Sequence, residues 1–137
     1  MNSIEAISAV TLLVADMARS VRFYEALGFD RIYGGENADF TSYRAGGGYL
    51  NLGLRADSSG NSVWGRTIFY VGDVDVTYET ALAAGMMPEF KPRDAPWGER
   101  YFHLRDPDGH ELSFARPLET KEDGSPSGES DTEGTAE

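Results

Sequence analysis

Two histidines, no cysteine and a handful of polar residues on strand-like runs limit the chemistry open to this chain. Without cysteine there is no thiolate metal site, no disulfide framework and no cysteine nucleophile. A metal would need three or more converging imidazole or oxygen donors. His103, Glu111 and Asn51 are the candidate set. Metal-free acid–base work would fall to His103 or Glu111, with Arg66 holding an anion. The competing structural readings are an ion pair for Arg66 and Glu111, and ordinary hydrogen-bonded strand roles for His103, Asn51 and Ser113. His110, in the turn Asp106-Pro107-Asp108-Gly109-His110, is expected at the solvent. Ser58-Ser59-Gly60 has no histidine near in sequence, so nothing supports a hydrolase triad. Gly46-Gly47-Gly48 lacks the lysine and helix of a phosphate loop and reads as a hairpin turn between Tyr43 and Leu50.

Aromatic residues are the other chemical asset. Trp97 lies in the turn Ala95-Pro96-Trp97-Gly98, and Trp64 ends a polar stretch. Tyr49, Tyr70 and Tyr101 fall on strand-like runs. Flat rings of this kind stack on planar or cationic ligands, or anchor cores and interfaces.

The elements that must position these groups come as a repeat. Ala9-Val10-Thr11-Leu12-Leu13-Val14-Ala15-Asp16 matches Arg66-Thr67-Ile68-Phe69-Tyr70-Val71-Gly72-Asp73 at an offset of 57. The same offset carries Gly28 onto Gly85. Each half therefore reads as a strand, an aspartate N-cap, a helix of about eleven residues and a terminating glycine. Farther on, Phe40 meets Phe102, Gly47 meets Gly109 and Leu50 meets Leu112 at an offset of 62. The prediction is an α+β fold of two βαβββ modules. Strands are expected near 8–14, 30–34, 39–44 and 48–54, then 66–71, 87–91, 100–105 and 110–115. Module one covers 5–54, a polar link 55–65, and module two 66–118.

Strand parity then separates two faces. Leu12, Val14, Leu50, Leu52, Phe69, Leu112 and Phe114 share the apolar parity and should pack on the helices. The opposite parity holds Ala9, Thr11 and Leu13; Tyr49, Asn51 and Gly53; Arg66, Ile68 and Tyr70; and Glu111, Ser113 and Ala115. That mixed face suits a concave cup lined for a small molecule. The expected ligand-binding residues are Tyr49, Asn51, Arg66, Ile68, Tyr70, Trp97, Tyr101, His103, Glu111 and Ser113.

The charge argues about partners. Twelve basic against 23 acidic residues give −11, which speaks against nucleic acid and anionic membranes. Seven of the acids fall in residues 119–137, with one lysine and one alanine as the sole apolar residue. Such a segment is expected to be a disordered, solubilising tail. The cysteine-free composition and the lack of a basic, apolar leader predict a cytoplasmic protein.

The runs VTLLVADMARSVRFYEALGF, IFYVGDVDVTYETALAAG and WGERYFHLRDPDGHELSFARP resemble the vicinal oxygen chelate superfamily over residues 5–118. That group holds glyoxalases, extradiol dioxygenases, fosfomycin-resistance enzymes and bleomycin-resistance proteins. The resemblance implies paired βαβββ modules forming a cup, usually in a homodimer. It also implies a divalent metal held at positions that here carry Ala9, Asn51, Arg66 and Ser113. Ala9 has no donor, Arg66 is a permanent cation, and Asn51 and Ser113 are weak neutral oxygens. The expectation is a scaffold without cofactor, nearest the bleomycin-resistance branch. Its members sequester a bulky cationic ligand and do no chemistry on it. The alternatives are an enzyme of the same superfamily with a divergent metal or metal-free acid–base site, and a partner-binding subunit with a filled cup.

Overall fold

The computed structural model describes residues 4–55 and 64–118. The expected segment 119–137 and most of the link lie outside the described residues. The fold is α+β, and each half is a βαβββ module. Module one runs β1 (Ala9–Val14), α1 (Met17–Ala26), β2 (Asp30–Tyr33), β3 (Phe40–Ala45) and β4 (Gly48–Leu54). Its sheet order is β1-β4-β3-β2, with β1 parallel to β4 and the other pairs antiparallel. Module two runs β5 (Arg66–Tyr70), α2 (Val74–Ala83), β6 (Arg93–Asp94), β7 (Glu99–Arg105) and β8 (Glu111–Pro117). Its order is β5-β8-β7-β6, with β5 parallel to β8.

The caps follow from the repeat. Asp16 accepts from the Arg19 N–H and Asp73 from the Val76 N–H, each at 3.0 Å, so each carboxylate satisfies an orphan donor of the first turn. Both helices end on a left-handed glycine, Gly28 (φ 100°) and Gly85 (φ 85°). The next residue's N–H reaches back to Tyr24 O and Ala81 O, which closes the last turn. The glycine triplet forms the hairpin: Ala45 pairs Gly48 across Gly46-Gly47. Gly48 itself must be glycine, because a Cβ there would meet Ser8 O at 2.7 Å.

The apolar parity packs as its pattern dictates. Leu12, Val14, Leu50 and Leu52 are buried beside Met17, Val21 and Tyr24 of α1. In module two, Phe69 and Phe102 stack on Phe114, and Tyr78 of α2 meets Phe102 edge-on. The sixth strand departs from expectation. Residues 87–91 form no strand, and the short β6 comes later, at Arg93–Asp94. Pro88 lies within the expected run and Pro92 follows it, and both lack the N–H group a ladder needs. One bond survives there, from Glu89 N to His103 O at 2.9 Å.

The described residues divide into two compact units. The first runs to Gly65 and includes the β7–β8 loop Arg105–His110; the second holds Arg66–Leu104 and the chain from Glu111 on. Within the first unit the loop's acids are fully engaged. Asp108 accepts from Ala15 N (2.9 Å), Arg19 Nη2 (3.1 Å) and Ser20 Oγ (3.2 Å). Asp106 accepts from the Tyr24 hydroxyl (2.6 Å) and from the N–H groups of Asp108 and His110. Burial pushes the Asp106 carboxyl above its usual range and the Tyr24 phenol well above its own. His110 is less free than its turn position suggests. Its Nδ1 accepts from Trp64 Nε1 at 3.1 Å, and its Nε2 lies 2.7 Å from Leu13 O. The indole can only donate and the carbonyl can only accept, so Nδ1 serves as the acceptor and Nε2 as the donor.

Candidate ligand face of the second unit

The face of the second sheet opposite α2 gathers most of the expected site residues. β5 pairs β8 so that Arg66 stands opposite Glu111, Ile68 opposite Ser113 and Tyr70 opposite Ala115. Alternation sends all six to one side. Tyr101 and His103 of β7 join them, their rings 5.2 Å apart.

Most of this face is covered by the chain between α2 and β7. Ala95, Tyr101 and Ala115 form a buried cluster with Phe90 and Trp97 packed against it. The Phe90 ring lies 5.5 Å from Tyr101 and 5.1 Å from His103, and Trp97 lies 5.5 Å from Tyr101. Arg93 of β6 places its guanidinium 3.8 Å over the Phe90 ring, and its Nε–H donates to the Tyr101 hydroxyl at 3.3 Å.

Beneath this cover sits an ionic group. Arg66 Nη2 donates to Glu111 Oε1 at 3.0 Å. His103 Nδ1 lies 3.7 Å from Glu111 Oε2 and 4.0 Å from Glu89 Oε1, too far for hydrogen bonds. Burial, reinforced by the Arg66 charge, pushes the His103 imidazole down to about 4, so the ring is neutral near pH 7. Its Nε2 and the Arg66 Nε are buried polar atoms without hydrogen-bond partners among the described residues.

The open edge of the face lies at Ile68, 41% exposed, and Tyr70, 61% exposed. There Glu99 joins the two aromatic flanks. It accepts from Trp97 Nε1 at 3.2 Å and from the Tyr70 hydroxyl. A carboxylate with one ring on each side can hold a flat or cationic group.

The remaining expected residues belong to the first unit. Asn51 accepts from Ser42 Oγ (2.7 Å) and donates to Thr11 Oγ1 (3.2 Å). Tyr49 stands opposite Ala9, with the Arg44 guanidinium 5.7 Å from its ring. Within the second unit, Glu89 lies beside His103 and Glu111. Glu89, Phe90, Arg93 and Glu99 are the residues sequence reasoning missed. Glu99 had a readable signal, since it shares the parity of Tyr101 two residues on. Glu89 had none, because it sits in the proline-bracketed segment where alternation fails.

The four positions that the resemblance assigns to a metal do not fit one. Ala9 offers a methyl group, Asn51 is spent on Ser42 and Thr11, Arg66 is a cation paired with Glu111, and Ser113 is fully buried. Converging anionic or imidazole donors are what such an ion requires.

Comparison with known proteins bears on the same question. The family model described as Glyoxalase/Bleomycin resistance protein/Dioxygenase superfamily matches residues 6–114. No protein among those with curated descriptions matches the sequence. Similar solved structures include a glyoxalase/bleomycin resistance protein/dioxygenase from Nocardioides, 23% identical, covering 92% of each chain with a TM-score of 0.67. A bleomycin-binding protein complexed with bleomycin is 21% identical, covering 82% of this chain and 98% of its own, TM-score 0.67. A lactoylglutathione lyase from Agrobacterium tumefaciens is 20% identical, covering 83% and 95%, also with TM-score 0.67. A binding protein and a lyase thus resemble the chain equally well, so likeness of fold does not choose between them. The family match spans most of the sequence, and the chain belongs to the glyoxalase/bleomycin resistance protein/dioxygenase superfamily.

Proposed function

We propose that the protein binds a small aromatic or cationic molecule at the open edge of the second sheet and holds it unchanged, as in antibiotic sequestration. The observation that carries this reading is the Glu99 carboxylate held between Trp97 and Tyr70 beside the exposed Ile68. The carboxylate attracts a cation and the rings offer stacking surfaces. The net charge of −11 favours capture of a cation over long range. The bleomycin-bound structure of similar fold supports the ligand class. Capture depends on no metal, in keeping with the donor-poor residues at the four family positions. The active form is a homodimer in the cytoplasm. Leu13 and Phe40, each 40% exposed, and Tyr49 support a second copy covering the first sheet.

Calorimetric titration with bleomycin as probe tests this. Trp97→Ala should weaken binding by about tenfold or more, as loss of a central aromatic anchor does. Trp64→Phe should leave it unchanged, and mass spectrometry should recover the ligand intact. A chemically altered ligand, or equal affinity in Trp97→Ala, would remove the reading. Failure of bleomycin, a mitomycin and a peptide antibiotic to bind at all would remove sequestration with it.

A further inference from the structure

We propose that Glu89, His103 and Glu111 form a divalent-cation site of the second unit, displaced from the family's metal positions. It is separate from the Glu99 edge, and ligand capture does not rest on it. The donor atoms of the three residues lie within 4.8 Å of one another. His103 Nδ1 is the hub, 3.7 Å from Glu111 Oε2 and 4.0 Å from Glu89 Oε1. A tetrahedral shell of nitrogen and oxygen ligands at about 2.0–2.1 Å has donor–donor edges of about 3.4 Å. The two edges at His103 must close by about 0.3 and 0.6 Å, and the Glu89–Glu111 edge, at most 4.8 Å, by up to about 1.4 Å, a movement within reach of the partly exposed Glu89 side chain.

Three further observations favour an ion. First, Arg66 engages Oε1 of Glu111, which leaves Oε2 directed at His103. It orients the ligating carboxylate in the way outer partners of metal ligands do. Second, His103 is more than nine-tenths buried, and its Nδ1 is turned toward both carboxylates without a hydrogen bond to either. Third, Glu89 has a side chain about one-third exposed and opens the cluster to water, while its backbone N–H is pinned to His103 O at 2.9 Å. One imidazole and two carboxylates suit a borderline ion of the zinc or manganese class.

The test is equilibrium dialysis of the EDTA-stripped full chain against zinc chloride and, separately, manganese chloride, read by elemental mass spectrometry. One of the two should bind at about one ion per chain, and Glu89→Gln should weaken it by about 10- to 100-fold. His103→Gln should do the same. Glu89 is partly exposed, so Glu89→Gln keeps the test valid if His103→Gln does not fold. Glu99→Gln, outside the cluster, should bind as the parent does. Stoichiometry far below one, or an ion retained equally in Glu89→Gln, overturns the proposal and assigns any bound metal to other carboxylates. The bleomycin titration repeated in EDTA keeps the two readings apart. Capture without an ion upholds the ligand reading whatever the dialysis shows. Capture lost on stripping ends its metal independence but leaves the cation site standing.

Discussion

The two sheets share one topology and treat their non-helix faces in opposite ways. In module one Phe40 and Tyr49 on that face are exposed and Asn51 and Gly53 half-buried. In module two the matching positions Tyr101, Glu111, Ser113 and Ala115 are buried, while Ile68 and Tyr70 of β5 stay exposed like Thr11 and Leu13 of β1. The difference traces to a single connection. From Gly28 to Phe40 is twelve residues, and from Gly85 to Tyr101, which stands on the same face, sixteen. The longer connection carries Pro88, Pro92 and Pro96 and places Phe90 and Trp97 on the sheet. A short proline-bearing insertion thus converts an open face into a covered one that shelters ionisable groups. The first unit compensates differently, with the carboxylates of the β7–β8 loop clamped to α1 and the end of β1.

The largest expected effect breaks this comparison directly. Tyr101→Ala opens a cavity under Phe90 and Trp97 and should cost about 3–5 kcal/mol. Tyr49→Ala, on the bare face, should cost under about 1 kcal/mol. Urea unfolding of the two variants measures both. Equal costs would mean that the cover contributes nothing and that the two faces are energetically alike.

Next in size is the clamp. Asp108→Ala strands the Ala15 N–H and Ser20 hydroxyl and leaves Arg19 without its buried carboxylate. A loss of about 2–4 kcal/mol is expected, drawn from hydrogen bonds to a buried charge. Arg19→Ala should cost less than half as much, since its side chain is 44% exposed and exposed ion pairs contribute little. Denaturant midpoints decide the ranking, and a costlier Arg19→Ala would show that the charge pair, not the buried acceptor, holds the loop.

The same contrast explains what the sequence revealed. Caps, glycine stops and the apolar parity were legible because each depends on residues a few positions apart. The pairing of Arg66 with Glu111 was legible too, since both belong to regular strands of known parity. Glu89 and Arg93 were not, because the prolines cancel alternation and only the folded chain shows where a covering segment lands. The roles of Asp106 and Asp108 were also hidden: their partners lie more than 80 residues away, on α1 and at the end of β1. The aspartates there read as turn formers, which is a true but partial account.

The smallest effect concerns Asp106 and sharpens the account of the first unit. Burial is the main reason its carboxyl sits above the ordinary value of 3.8 in the folded chain. A group whose folded value is raised adds stability that is fully present below its unfolded value and lost as pH rises through the folded one. Burial disfavours the charged form of Asp106, while the Tyr24 hydroxyl and two backbone N–H groups favour it. Asp106→Asn keeps the acceptor for both N–H groups and presents an amide donor to the Tyr24 oxygen, but it cannot titrate. Other ionisable groups are common to both proteins and cancel in the difference. The parent should therefore gain stability relative to Asp106→Asn as pH falls from 7 towards 4, in urea midpoints taken at unit intervals. A gap that stays constant would place Asp106 in a solvated setting, and one that moves the other way would mean the hydrogen bonds outweigh burial.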